Sequence, residues 1–270
     1  MDRWIRMKIL IYMIRWKGGI GSIVGDWKSE MEKAGHEVTV ISREDDFNGF
    51  SFNSGFFKIR KFVKENNFDV LFTQDWSCAL PFLFHKNHYC FFHGKGNKFQ
   101  VIPQWLVNSF MKGRIICADY ENSIKFNCHW IAHGMNLGMF KPLGLRRCYL
   151  GWIEKGTETI TKEEINKMGK KLGIPVLIAK GIPRKKMNEF YNKLSVFVSL
   201  PPRVAGCQFS YMEAMASGVP IILGNNNGEG FRYPVDKNIN ELSPKNYRQF
   251  LIDSKLTSEH QTNRLLEVFK

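Results

Sequence analysis

The sequence has no paired cysteines: its six, Cys78, Cys90, Cys117, Cys128, Cys148 and Cys207, are spread over 270 residues without a C-x-x-C spacing. Disulfide scaffolds belong to short secreted chains and zinc sites to tight clusters, so all six are expected as reduced thiols in a reducing, cytoplasmic setting. It also lacks the run of about 20 apolar residues that a membrane-spanning helix needs. The one leader-like stretch, Met7–Ile14, runs into Arg15, Trp16 and Lys17 with no small-residue cleavage site. Secretion by that route is therefore not expected, while peripheral attachment to a membrane stays open. Acidic residues are scarce: 25 Asp+Glu stand against 39 Lys+Arg, a net charge of +14. The imbalance favours an anionic partner, whether nucleic acid, an acidic membrane face or a phosphorylated small molecule. Charge alone does not choose among these, nor does it exclude a soluble protein that is merely basic.

What is present suffices to fold. Residues of the AVILMFWYC set make up 44% and aromatics 14%, which supplies a core and argues against a disordered or fibrous chain. At 270 residues the chain exceeds one ordinary domain and falls short of two large ones. Met7–Ile14 is a continuous apolar run of the kind shown by a parallel strand covered on both faces, followed by Gly18, Gly19, Gly21 and Gly25. Ile23–Lys33 then places Ile23, Trp27 and Met31 at helical spacing and stops at Gly35, and Glu37–Ser42 is short and β-branched. Together they form a βαβ unit. Further helices are expected at Phe57–Asn66, Ala79–Phe84 and Pro103–Met111, with strands at Asp69–Thr73, Tyr89–Phe92, Arg114–Ala118 and Trp130–Ala132. The Pro/Gly/basic stretch within Phe140–Arg147 reads as a linker. A second series has strands at Cys148–Gly151, Val176–Ala179, Val196–Leu200 and Pro220–Leu223. Its helices are expected at Lys162–Leu172, Lys185–Lys193 and Ser210–Ala216, with two more within Pro244–Lys270. This alternation predicts parallel sheets with helices on both faces, in two α/β domains, 1–142 and 143–270.

The Gly19-x-Gly21-x-x-x-Gly25 spacing lies between a strand and a helix, where backbone N–H groups and the positive end of a helix can meet a phosphate. A tight turn that binds nothing is the other reading. A dinucleotide-binding fold would want an acidic residue at the end of the second strand. Ser42-Arg43 stands there before Glu44, which suits a 2′-phosphate and keeps an NADP-dependent oxidoreductase among the alternatives.

The segment Ala205–Pro220, AGCQFSYMEAMASGVP, carries more. Its Glu213-Ala214-Met215-Ala216-Ser217-Gly218-Val219-Pro220 resembles the donor-domain signature of the retaining, GT-B-fold glycosyltransferases of family 4, a Glu-Ala-Met-Ala helix followed by Gly-x-Pro before a strand. Gly18-Gly19 and Ala34–Val40 resemble that family's opening glycine loop and Gly-His-x-Val-x-Val strand, and Phe92-His93-Gly94 its His-Gly. His133-Gly134-Met135-Asn136 with Phe140 and Pro142 is similar to its Asn-Gly-Val-Asp…Phe-x-Pro, and Lys155-Gly156 after Gly151 to its Lys-Gly. Ile182-Pro183-Arg184 through Met187 and Tyr191 resembles the approach to the glutamate motif.

The resemblance implies a GT-B architecture, two Rossmann-like parallel-sheet domains facing across a cleft, that moves a sugar from a nucleotide-sugar with retention. Such a transfer leaves a diphosphate, whose charge can be met by helix-start N–H groups and a cation. No Asp-x-Asp occurs where a metal-dependent transferase would place one, so no metal and no cofactor are expected; a UDP- or GDP-linked sugar is the co-substrate. By the resemblance, Glu213 accepts hydrogen bonds from the donor ribose, His93 sits beside the transferred sugar, and Lys155 faces the diphosphate. Gly151 and Arg184 belong to the same donor site, and Gly18 and Gly19 leave room for phosphate and acceptor. Asp75 and Trp76, at a strand end, are candidates for the acceptor side.

This chain departs from the pattern in three places. Ala205 stands where a first glutamate is expected, and Trp152 where an arginine usually follows the glycine, which leaves Lys155 with Arg184 or Lys180 for the diphosphate. Between Thr157 and Met187 there is room for one strand where the family has two. An active enzyme with an unusual donor or a minimised site fits these losses, and so does a degenerate protein that binds a nucleotide or nucleic acid without turnover. Basic clusters at Arg3–Lys17, Lys95–Lys98, Arg146-Arg147 and Arg184–Lys186 alternate with Trp4, Trp16, Phe99 and Trp105. They suit an anionic membrane carrying a lipid-linked acceptor, or DNA, as well as a solvated face, and a saccharide is another acceptor. No helix-turn-helix, zinc-finger or RNA-recognition signature is present.

Overall fold

The computed structural model describes residues 6–16, 18–43, 56–94, 98–154, 160–199, 209–223 and 243–270. They fall into two compact units, Met1–His133 with Ser258–Lys270, and Gly134–Thr257.

The sheet of the first unit has six strands: β1 (Lys8–Met13), β2 (Glu37–Ser42), β3 (Val70–Gln74), β4 (His88–Phe92), β5 (Ile115–Cys117) and β6 (His129–Trp130). All pairings are parallel, in the order β2-β1-β3-β4-β5-β6. Parallel neighbours require crossovers, which α1 (Gly19–Lys33), α2 (Phe56–Asn66), α3 (Trp76–Ala79), α4 (Lys98–Phe110) and α5 (Tyr120–Phe126) supply. Because both faces of the sheet are covered, Ile9 through Met13 are buried without alternation. Leu10 and Tyr12 pack with Leu71 against Ile59 and Val63 of α2. The opposite face carries Phe72 and Phe91, whose rings lie 5.4 and 4.9 Å from Trp27 of α1.

The second unit repeats the winding on a smaller scale. Strands β7 (Tyr149–Ile153), β8 (Val176–Ala179), β9 (Leu194–Ser199) and β10 (Ile221–Leu223) form a parallel sheet in the order β10-β9-β7-β8. Read from the far edge, this is the order of the first four strands of the first sheet. The connecting helices are α6 (Lys162–Leu172), α7 (Arg184–Asn192) and α8 (Phe209–Ala216), and α9 (Tyr247–Asp253) follows the last strand. At the start of α6 the Thr161 hydroxyl accepts from the Glu164 N–H while the Glu164 carboxylate accepts from the Thr161 N–H, and left-handed Gly173 ends the helix. Leu150 and Trp152 pack with Val198 against Ile165 of α6.

Three expectations change. The division falls at 133/134 rather than 142/143, and the final helix α10 (Ser258–Phe269) belongs to the first unit. Its Phe269 ring packs 5.0 Å from both Phe72 and Tyr89, which ties the end of the chain to the first sheet. The stretch read as a linker is bound down. Lys141 N–H donates to Asn188 Oδ1 (3.1 Å), Leu143 N–H donates to Asn192 Oδ1 (2.7 Å), and the Asn192 amide donates to Lys141 O (2.9 Å). Arg147 donates to the Ser217 and Gly218 carbonyls, and Arg248 to those of Leu137, Phe140 and Ala216. Finally, α5 has no counterpart among the expected helices; Asp119 caps it, accepting from Asn122 N–H at 2.9 Å.

Asn192 is fully buried, so Asn192→Ala strands the Leu143 N–H and the Lys141 carbonyl at once. The expected result is a fall of about 1–3 kcal/mol, seen as a lower urea midpoint at unchanged slope. An unchanged midpoint would show that the strap contributes nothing.

Candidate functional site

In each sheet the winding reverses beside the first strand: β2 and β3 flank β1, and β8 and β9 flank β7. Crevices beyond the carboxyl ends of such strands are where open α/β sheets bind ligands.

In the first unit, Gly18 caps α1 at φ +88, a conformation that favours glycine, and neither a side-chain cap nor an acidic residue covers the first turn. A Cβ added at Gly18 or Gly19 would meet no atom within 4 Å among the described residues, so packing among these does not demand a glycine at either position. Gly21 has a different reason: a Cβ there would collide with the Trp16 carbonyl, so this glycine lets the loop fold back over the helix. At the end of β3, Asp75 adopts φ +70, rare for a side-chain-bearing residue. Its carboxylate caps the short α3 by accepting from Trp76 N–H at 2.9 Å, and burial raises its pKa. Asp75 and Trp76 thus sit at the strand end where they are expected.

His93 follows β4, half-buried, with Nε2 2.8 Å from Gln74 Oε1 at the end of β3. Its ring stacks at 15° on Trp27 (6.1 Å) and at 15° on His133 (5.4 Å), and lies 4.9 Å from Phe91. Burial and the neighbouring His133 hold the His93 pKa well below its ordinary value, so near neutral pH the ring is uncharged. Among the described residues, Trp27 Nε1, Gln74 Nε2 and His93 Nδ1 are buried without a hydrogen-bond partner. Three such atoms around one pair of strand ends is unusual, and both donors and an acceptor are available to a hydroxylated ligand. His36 and His88 are structural. His36 Nδ1 accepts from Met7 N–H at 3.2 Å, and His88 lies 2.8 Å from both the Thr73 hydroxyl and the Phe82 carbonyl.

In the second unit, Glu213 is the fifth residue of α8 and is 8% exposed. Its Oε2 accepts from the Tyr191 hydroxyl at 2.8 Å, and its Oε1 lies 3.6 Å from Arg184 Nε. The Arg184 guanidinium also lies 5.4 Å over the Phe140 ring, which packs 6.1 Å from Tyr191. Burial, with the adjacent carboxylate, pushes the Tyr191 phenol well above its ordinary pKa, so it stays a donor. A buried carboxylate needs such partners, and here two α7 side chains fix its orientation. Lys180 pairs with Glu154 at 3.0 Å. Gly151 lies inside β7, and the Leu194 side chain occupies the place its Cβ would take. Trp152 is buried beneath α6.

The structure therefore brings Arg184 and Glu213 together, and His93 with the end of β3. Lys155 and Ala205 lie outside the described residues. Sequence reasoning gives no role to Gln74, Trp27 or the stacking of His133. The available signal for Gln74 is a polar residue closing an apolar strand, VLFTQ, that proves 1% exposed.

No family model matches the sequence, and neither does any curated protein. Solved structures do match the fold. A glycosyltransferase from Rickettsia africae ESF-5 superposes with a TM-score of 0.66 at 13% identity, over 99% of this chain and 98% of that one. Anabaena HepE in complex with UDP and glucose matches at 0.57 and 11% identity, over 97% and 95%. The UDP-GlcNAc 2-epimerase of Methanocaldococcus jannaschii matches at 0.56 and 10% identity, over 97% and 99%. The fold is the GT-B type of the glycosyltransferase structures, α/β with two Rossmann-like parallel-sheet domains.

Burial lowers His88 to about 3 and His133 to about 4, from 6.5 for a free side chain. The unfolded chain thus binds more protons, so the stability these rings contribute is complete above pH 6.5 and is lost as pH falls toward the folded values. From pH 7 to pH 5 the loss is about 2 kcal/mol per histidine, read from urea midpoints. In His133→Gln the drop between the two pH values should shrink by one such share; an equal drop in variant and wild type would contradict the assignment.

Proposed function

We propose that the chain is a glycosyltransferase that takes a sugar from a UDP- or GDP-linked donor and passes it to a lipid-linked or saccharide acceptor, with retention and without a metal ion. The observation that carries this is the immobilised Glu213 carboxylate. It stands on the Glu-Ala-Met-Ala helix beside the winding reversal of the second sheet, in a chain that shares its fold end to end with glycosyltransferase structures. A carboxylate held by Tyr191 and Arg184 has fixed lone pairs to offer the hydroxyls of a ribose.

In this reading the second unit takes the nucleotide. Lys155, which follows β7, and Arg184 supply positive charge to the departing diphosphate, aided by N–H groups at helix starts. Gly151 keeps its place in the strand below them. The anomeric C–O bond to the diphosphate breaks, a bond to the acceptor oxygen forms on the same face of the sugar, and the proton of the acceptor hydroxyl passes to the departing diphosphate. His93, neutral, exchanges hydrogen bonds with sugar hydroxyls, and Gly18 and Gly19 admit phosphate or acceptor to the start of α1. Asp75 and Trp76 line the acceptor side. DNA is a second acceptor class, and a cytoplasmic enzyme resting on an anionic membrane is part of the same proposal. Ala205 and Trp152 favour one other reading, a nucleotide-binding protein without turnover.

The test is thermal stability with UDP-, GDP-, ADP- and dTDP-sugars, the free nucleotides and NADPH, since a ligand of the native state at 100 times its Kd stabilises by about 2.7 kcal/mol. One sugar nucleotide should raise the Tm, with Glu213→Gln and Lys155→Ala weakening binding about tenfold or more. A shift with NADPH alone would overturn the proposal. A donor shift without donor consumption would favour the reading without turnover.

A further inference from the structure

Independently of the proposed reaction, we propose that Cys117 and Cys128 form an oxidisable dithiol, a site of reversible disulfide formation that locks α5 to the edge of the first sheet. The two sulfur atoms lie 3.1 Å apart, closer than any other thiol pair among the described residues. Cys117 is the buried last residue of β5, and Cys128 immediately precedes β6, which pairs with β5 through Cys117 and Trp130. Cys128 is half-buried, so one member of the pair is reachable from solvent. The bond would close a short loop whose content is α5, and short covalent loops over ordered elements stabilise chiefly by restricting the unfolded chain.

The chemistry divides between the two sulfurs by their surroundings. The hydrogen bond from Cys128, together with burial, holds Cys117 as a thiol, so Cys117 is not the first nucleophile. With a low-molecular-weight disulfide as oxidant, the Cys128 thiolate attacks one of its sulfurs and expels a thiolate, giving a mixed disulfide. Cys117 then gives up its proton, displaces the second small thiol from Cys128, and the protein disulfide forms. Two protein thiols and one small disulfide become one protein disulfide and two small thiols. Reduction by excess thiol runs the same steps backwards.

The consequence reaches the strand ends. Asn122 of α5 donates to the Gly94 carbonyl at 3.2 Å, next to His93, and the chain leaving Cys128 leads through β6 to His133, which stacks on His93. Fixing α5 therefore also fixes the backbone on both sides of the histidine stack.

The experiment treats the native full chain with oxidised glutathione, blocks remaining thiols and maps tryptic peptides. Cleavage at Lys125 separates the two cysteines, and Pro142 protects the bond after Lys141, so the link appears as peptide 115–125 joined to peptide 126–146. The expected result is that link as the main product, a Tm raised by about 5 °C and reversed by reductant, and slower amide exchange across Asn122–Asn127. Cys128→Ser, at the half-buried position, should fold and lose all three effects. Glutathione retained on Cys128 without the link, or a link through Cys90 instead, would overturn the proposal.

Discussion

The hydrogen-bonded pairing of β1 with β3, from Ile9 beside Val70 to Tyr12 beside Thr73, sets the conditions for the rest of the molecule. Parallel partners cannot be joined by a tight turn, so each needs a crossover, and helices come to lie on both faces. Strands covered twice must be apolar along their whole length, and any polar residue the chain keeps is pushed to their ends. Since β2 pairs with the other side of β1, those ends diverge where Gly18, Gln74 and Asp75 stand. The pairing of β7 with β9 repeats this logic in the second unit, ahead of Glu213.

The two strand-end regions differ in kind. The first collects neutral groups, an uncharged histidine stacked on Trp27 and His133 with buried N–H and lone-pair positions around it. The second collects charge, a carboxylate held between a phenol and a guanidinium that itself lies over Phe140. Burying that carboxylate costs free energy which its partners offset, and the return is an orientation that cannot drift.

Much of this was legible in the residues. An apolar run such as Lys8–Met13 needs no context to be read as a doubly covered strand, and α6 is marked at both ends by Thr161, Glu164 and Gly173. Gly18 and Gly19 are legible as the turn into a helix, whereas Gly21 and Gly151 serve packing against Trp16 and Leu194 that no spacing reveals. What escapes is what depends on distant partners. Pro, Gly and Arg within 140–147 signal a linker, but Asn188 and Asn192 far along the chain turn the stretch into a strap. Phe269 gives no sign that its place is beside Phe72, and α5 is too short for a helical period to show. Arg184 is legible as a cation, but its pairing with Glu213 follows only from the packing of α7 on α8.

The proposed function stands or falls on turnover of a nucleotide-sugar at Glu213. The most direct measurement is phosphorus NMR of the protein with the stabilising sugar nucleotide and a mixture of saccharide and lipid-linked acceptors. The donor signals should give way to those of the free nucleoside diphosphate at a rate proportional to protein, and Glu213→Gln should slow this at least tenfold. Donor signals unchanged at every protein concentration, or equal rates in wild type and Glu213→Gln, would contradict it.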